Sequence, residues 1–193
     1  YVTQSPDSRI PTTACLLHER LRLRKHCLAF DVNQGCSGFV YGLSLATSLL
    51  RARQINRCLI VCAEAYSKYI SIHDRTSRPI FGDGASAVVV DMEGSGDIGP
   101  FVFATDGSGA PNLTLMPGDD TLYMNGPKVL EFTMNEVPKS VARLLVSAGL
   151  QLEDIDMFVF HQASKVVLDR IQKKLGIKDA KFIRNYRNIG NTV

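Results

Sequence analysis

Short apolar runs alternate along this chain with longer stretches whose apolar positions recur at helical spacing, the pattern of an α/β protein. Leu28–Val32 reads as a buried strand. From Cys36 to Leu50 the positions Phe39, Leu43, Ala46 and Leu50 follow a helical period. Val40, Leu45 and Leu49 fill the other side, and no charge appears before Arg51. A helix apolar all round is expected to be buried all round, a middle layer with sheets on both sides. Cys58–Ala63 and Ala85–Asp91 read as strands, the second entered through Gly82-Asp83-Gly84, and Ile98–Thr105 reads as another. Residues 108–127 show no clear period and read as loop with one short strand. Val137, Val141, Leu144, Leu145 and Ala148 mark an amphipathic helix ending near Gly149. Asp156–Phe160 is then a strand, Val167, Leu168, Ile171 and Leu175 a helix closed by Gly176, and Lys181–Tyr186 a last strand.

Two of these units echo each other. Leu28–Val32 leads through a short turn to Cys36, and Asp156–Phe160 leads directly to His161. Each places a reactive side chain just past the carboxyl end of a strand, where open α/β sheets build their sites.

Composition narrows the classes. The 193 residues suffice for one sizeable domain or two small ones,. Hydrophobic residues at 45% and charged residues at 21% exclude a disordered tail,. Lys plus Arg exceed Asp plus Glu by 22 to 19, too slight a surplus to indicate a nucleic-acid partner. The longest uncharged stretch, Val32–Leu50, holds Asn33, Gln34, glycines and hydroxyls, unlike a membrane span. No basic-then-apolar leader opens the chain. Cysteines at 15, 27, 36, 58 and 62 fit reduced thiols in a cytoplasmic compartment better than a disulfide scaffold. Cys58 and Cys62 flank Leu-Ile-Val and read as small apolar filler, with no partner at metal-ligand spacing. The chain opens on Tyr1 rather than Met and stops at Val193, so it is expected to be a piece of something longer.

The strongest candidate for chemistry is Cys36, in Asp31-Val-Asn-Gln-Gly-Cys36-Ser-Gly-Phe39. Free amide groups and the positive end of the helix dipole meet at a helix start, and both favour a thiolate. The plain alternative is one more small buried residue. His161 follows Phe158-Val-Phe160 and could equally be a satisfied structural group. Asn191, after Gly190, taken alone is a turn residue. The order Cys, His, Asn fits two chemistries. One is a papain-like peptidase, from which the chain departs by lacking Cys-Gly-Ser-Cys-Trp and any Trp. The other is acyl transfer and carbon–carbon bond formation on thioesters.

For the second chemistry a resemblance is specific. Ala29-Phe-Asp-Val-Asn-Gln-Gly-Cys36-Ser-Gly-Phe, Phe81-Gly-Asp-Gly84-Ala, Phe160-His161-Gln162-Ala163 and Gly190-Asn191-Thr192 resemble β-ketoacyl-acyl carrier protein synthase III of the thiolase superfamily. The resemblance implies an α/β, thiolase-like five-layered αβαβα fold, present as a partial chain. Residues 1–95 would be the latter part of an amino-terminal half carrying the nucleophile. Residues 96–193 would be an incomplete carboxyl-terminal half carrying His and Asn. It assigns catalysis to Cys36, His161 and Asn191, coenzyme A contacts to Arg75 and Asn135, and carrier-protein docking to Lys139 and Lys165. Ile10 would gate the acyl pocket from a partner subunit. No cofactor would be bound permanently and no metal is expected; acyl-coenzyme A would be a substrate, acyl carrier protein a partner, and the enzyme a cytoplasmic homodimer without nucleic acid or membrane. Val166 stands where the family has an Arg after the catalytic His, and Ser164 where it often has Asn. The amino-terminal strands and the carboxyl-terminal Gly-rich segment of the family are absent. Two other readings stay open. One is a sister enzyme with the same trio, a type III polyketide synthase or a hydroxymethylglutaryl-coenzyme A synthase. The other is a non-catalytic acyl-binding partner. The basic group Arg20, Arg22, Arg24 and Lys25 reads either as a solvated helix end or as an attractor for an acidic carrier protein.

Overall fold

Extended residues 1–3 organise the first part of the molecule. In a computed structural model describing residues 1–193, the Val2 amide donates to Val61 O at 2.8 Å, and Thr3 N donates to Val32 O at 3.1 Å. Val2 thus bridges in parallel to both Val32 and Cys62. The chain divides into two compact units. One holds Tyr1–Ala65, Asp83–Ile98 and Thr192–Val193; the other holds Tyr66–Gly82 and Gly99–Asn191.

In the first unit, helix α1 (Thr13–Arg20) precedes α2 (Gly38–Arg51), and β1 (Arg57–Glu64) pairs antiparallel with β2 (Gly84–Asp91). The full register runs from Arg57 opposite Asp91 to Glu64 opposite Gly84. Val2, Ala46, Leu50, Ile60 and Val90 form the core, with Cys58 and Cys62 packed partly buried against it. Two glycines of α2, one turn apart, let the helix approach the sheet. A Cβ on Gly38 would lie 2.4 Å from Val2 Cγ1, and one on Gly42 would lie 3.2 Å from Val2 Cγ2.

Two expectations change here. Helix α2 buries Gly38, Gly42, Ala46, Thr47 and Leu50 along one face, while Phe39, Val40 and Leu45 are exposed. The helix is therefore one-sided in this chain, since only the sheet on the glycine side covers it. Leu28–Val32 is not a continuous buried strand. Its pairing runs only along its carboxyl end, where Tyr1 N donates to Phe30 O and Val32 N to Tyr1 O, and Leu28 is 62% exposed.

In the second unit, β3 (Leu113–Thr114) and β4 (Tyr123–Met124) make a minimal ladder before α3 (Gly126–Ala148), followed by α4 (Lys165–Leu175) and the short α5 (Tyr186–Ile189). Gly149 at φ 67° and Gly176 at φ 68° close α3 and α4 in the left-handed conformation, which glycine adopts without a steric penalty. Phe158, Leu168, Ile171, Ile177 and Phe182 form this unit's core. The expected strands at Asp156–Phe160 and Lys181–Tyr186 reduce to one parallel bridge, Phe158 to Phe182. Its bonds are Phe158 N to Lys181 O at 2.8 Å and Ile183 N to Phe158 O at 3.1 Å. Ile98–Thr105 is no strand; its alternation is taken up by stacking of Phe101 on Phe103. Helix α3 starts eleven residues before the Val137 at which its apolar period becomes plain.

Candidate functional site

Cys36 lies in the turn between the paired Val32 and helix α2, in the first unit. Gly38 N donates to Gly35 O at 2.6 Å to tighten that turn. A side chain on Gly35 would collide with Gln4 Oε1 at 2.4 Å and approach Val193 Cγ1 at 3.3 Å. Asp31, from the same segment, accepts from Thr13 N and Ala14 N at 2.8 Å each, capping α1 and offsetting its dipole. The motif around Cys36 is thus built into two helices.

The electrostatics of Cys36 differ from expectation. The residue keeps an exposed edge, yet desolvation by the atoms around its sulfur raises the thiol above the ordinary cysteine value. Its own backbone N–H draws the value down, and the Glu64 carboxylate pushes it up again. The sulfur precedes Ser37, the residue that caps α2, and so lies outside the first helical turn where the dipole acts. Desolvation wins, and the resting form is the thiol. Glu64 is buried and held by Gln4 N at 2.7 Å, Thr3 Oγ1 at 3.2 Å and Ser5 Oγ, a fixed charge satisfied by donors rather than by a cation.

His161 and Asn191 both belong to the second unit. His161 follows the bridged Phe158 segment, and its Nε2 is buried with no hydrogen-bond partner. Burial drives its pKa down to about 4, so the imidazole is neutral around pH 7. Gln162 fixes its placement. The Gln162 amide donates to Phe160 O at 2.9 Å and Ile183 O at 3.3 Å, and its carbonyl accepts from Asn185 N at 2.6 Å. This clamp stood in the Phe-His-Gln-Ala motif, but nothing in its spacing marked Gln162 as a positioning residue.

Asn191 is buried and bridges in parallel to Phe81. Asn191 N donates to Ile80 O at 2.8 Å, and Gly82 N donates to Asn191 O at 2.9 Å. The glycines of both motifs are required by this contact. A Cβ on Gly82 would lie 2.0 Å from Ile189 O, and one on Gly190, at φ 71°, would lie 2.9 Å from Ile80 O. Phe-Gly-Asp-Gly and Gly-Asn-Thr are therefore partners in space, with Asn191 at their crossing.

The remaining candidates are surface residues. Arg75 is exposed in a turn that Asp74 pins by accepting from Thr76 Oγ1 at 2.6 Å, Thr76 N at 2.8 Å and Ser77 N at 2.9 Å. Those bonds, the Thr76 hydroxyl foremost, hold the Asp74 carboxyl well below the usual range. Asn135 and Lys139 lie one turn apart on α3, both exposed, with Lys139 paired to Glu136 at 2.7 Å. Lys165 opens α4 and pairs with Asp169, and that hydrogen bond raises its pKa. Ile10 is 89% exposed.

Comparison with known proteins gives the context for this geometry. Two family models match, that of 3-oxoacyl-[acyl-carrier-protein] synthase III over residues 30–107 and that of its C-terminal part over residues 145–193. A β-ketoacyl-[acyl-carrier-protein] synthase III from Clostridium perfringens is 35% identical over 98% of this chain. The chain spans 63% of that relative's length. A crystal structure of a 3-oxoacyl-(acyl-carrier-protein) synthase III superposes with TM-score 0.94 at 43% identity, covering 99% of this chain and 64% of the other. The Thermus thermophilus β-ketoacyl synthase III gives TM-score 0.89 at 36% identity, with 99% and 62% covered. The chain belongs to the 3-oxoacyl-acyl carrier protein synthase III family and has its thiolase-like α/β fold.

Proposed function

We propose that the protein performs the decarboxylating condensation of an acyl-coenzyme A primer with malonyl-acyl carrier protein, giving a 3-oxoacyl-acyl carrier protein. In this reading the Cys36 sulfur, deprotonated, attacks the thioester carbonyl and coenzyme A leaves with the proton. The malonyl carboxylate departs as carbon dioxide, and its bonding pair moves onto the neighbouring thioester as an enolate. N–H groups of His161 and Asn191 stabilise that oxygen. The enolate carbon then attacks the acyl group, and the Cys36 sulfur leaves. The observation that carries the reading is the buried, neutral, unpartnered Nε2 of His161. In the tautomer that carries its proton on Nε2, this imidazole is an uncharged donor with no other occupation, as a developing enolate needs, whereas a structural histidine would be satisfied.

Arg75 and Asn135 are assigned in this proposal to coenzyme A, Lys139 and Lys165 to the acidic carrier protein. The lysines' present ion pairs are exposed and weak enough to exchange. Ile10, standing clear of its own chain, would gate the acyl pocket of a partner in a cytoplasmic homodimer. The test is mass spectrometry of the protein after incubation with a panel of acyl-coenzyme A esters. A single acyl adduct on Cys36 is expected, and an unlabelled Cys36 would overturn the reading. His161→Ala should leave acylation intact and slow malonyl decarboxylation by ~10²–10³. Turnover with malonyl-coenzyme A in place of the carrier-protein thioester would point instead to the sister enzymes. A strict preference for acetyl- over octanoyl-coenzyme A would remove the proposed role of Ile10.

A further inference from the structure

The positive charge of this chain is concentrated in one place. Between Pro11 and Phe30 the basic residues Arg20, Arg22, Arg24 and Lys25 meet a single acid, Glu19. Of 22 cations and 19 acids in the chain, that leaves 18 of each everywhere else. The whole net charge of +3 therefore belongs to the segment Glu19–Lys25.

The structure holds this segment in a defined shape. It is the carboxyl end of α1, closed by Leu23 N to His18 O and Arg22 N to Glu19 O, each 3.0 Å. These are the two bonds of a Schellman motif. The His18 Nε2 donates to Arg24 O at 2.9 Å and pins the following residues. Every residue from Glu19 to Leu28 is exposed, and none of the four cations joins an ion pair among the described residues. Arg22 occupies the left-handed position at φ 51°, where α3 and α4 both use glycine. A cation stands where the backbone favours glycine. Leu21, 50% exposed, and Leu23, 39% exposed, alternate with the arginines.

We propose that the Arg20–Lys25 turn docks this protein on an anionic phospholipid surface. Cations spaced by exposed leucines suit a layer of acidic headgroups above acyl chains, where charge and apolar contact are both satisfied without a matching pocket. A second copy of the chain would bring like charge against like charge. A nucleic acid would find no Phe, Tyr or Trp between Glu19 and Cys27 on which to stack,. An acidic protein such as the carrier protein is the competing occupant, and the cross-linking arm of the test distinguishes it from lipid. No helix is long and apolar enough to cross a membrane, and the proposed contact is a peripheral one; it departs from the no-membrane expectation that the family resemblance implies.

The test is flotation of the protein with vesicles of phosphatidylcholine alone and of phosphatidylcholine mixed with phosphatidylglycerol. Binding is expected to the mixed vesicles only, with release by salt. Arg22→Gly relieves the left-handed strain and so keeps the fold, and should weaken binding roughly fivefold. Replacing Arg20, Arg22, Arg24 and Lys25 together by Gln should abolish it, while Leu21→Ser should weaken it on the same vesicles. Failure to float with mixed vesicles, equal binding to neutral vesicles, or indifference to Arg22→Gly overturns the proposal. So does cross-linking of these arginines to acyl carrier protein in place of vesicle binding. Acylation of Cys36, followed in the same samples, reads the proposed chemistry separately.

Discussion

At Cys36 and His161 burial sets both resting states, and both are neutral near pH 7. For Cys36 this leaves little thiolate at rest, so the nucleophile forms on demand. Its alkylation by iodoacetamide, followed by peptide mass spectrometry, should rise about tenfold per pH unit from neutrality and show no plateau by about pH 8.5. A plateau near pH 7 would mean that the helix dipole prevails after all. For His161 the folded pKa of about 4 lies below the ordinary 6.5. Between those values the unfolded chain binds the proton and the folded one does not. Stability is then complete above about pH 6.5 and declines as pH falls through about 4, by up to ~3 kcal/mol. Urea unfolding at neutral and at mildly acid pH should show that loss in the parent and a smaller one in His161→Gln. The same acid slope in both would assign the effect elsewhere. Both side chains were identifiable from their motifs, but their ionisation was not. Sequence places Cys36 near a helix start; the fold puts it two residues before Gly38, ahead of the capping Ser37, with Glu64 contributing from β1.

At the scale of elements, the contact between α2 and the sheet depends on Val2 sitting against Gly38 and Gly42. Gly38→Ala adds a methyl that meets Val2 Cγ1 at 2.4 Å, and a β-branched side chain has few alternative rotamers. The expected cost is about 1–3 kcal/mol. Val2→Ala removes the obstacle, so the double variant should be more stable than the two separate losses predict, by ~1 kcal/mol or more. Denaturant midpoints of the four proteins decide it, and strictly additive losses would mean that Gly38 is not there for Val2. The elements most legible in sequence were those with one strong period and a glycine stop, α4 above all. Helix α1 was not legible, since Thr13–Arg20 mixes polar, apolar and basic residues without a clear face, and its cap, Asp31, comes from beyond the helix. Leu28–Val32 and Asp156–Phe160 look like full strands in sequence because apolar runs fit edge and interior positions equally. How many hydrogen bonds each makes depends on neighbours supplied by residues 1–3 and 181–183.

At the scale of the whole molecule, each unit encloses its own core, and the chain passes between the units at residues 65–66, 82–83, 98–99 and 191–192. This division assigns Tyr66–Gly82, which lies between β1 and β2 in sequence, to the unit that holds His161 and Asn191. The crossing of Phe81-Gly82 with Gly190-Asn191 gives the physical reason for that assignment, because their backbones pair. Separate cores imply that damage to one is felt there first. Leu168 is fully buried, at 0% exposure. Leu168→Ala should cost about 2–5 kcal/mol and appear as faster amide exchange in α4, α3 and the Phe158–Phe182 bridge. Protection in α2 and β1 should hold, because Val2, Ala46, Leu50, Ile60 and Val90 keep all their partners. If α2 and β1 lose protection as much as α4, the two cores open as one, and the autonomy inferred from their composition is wrong.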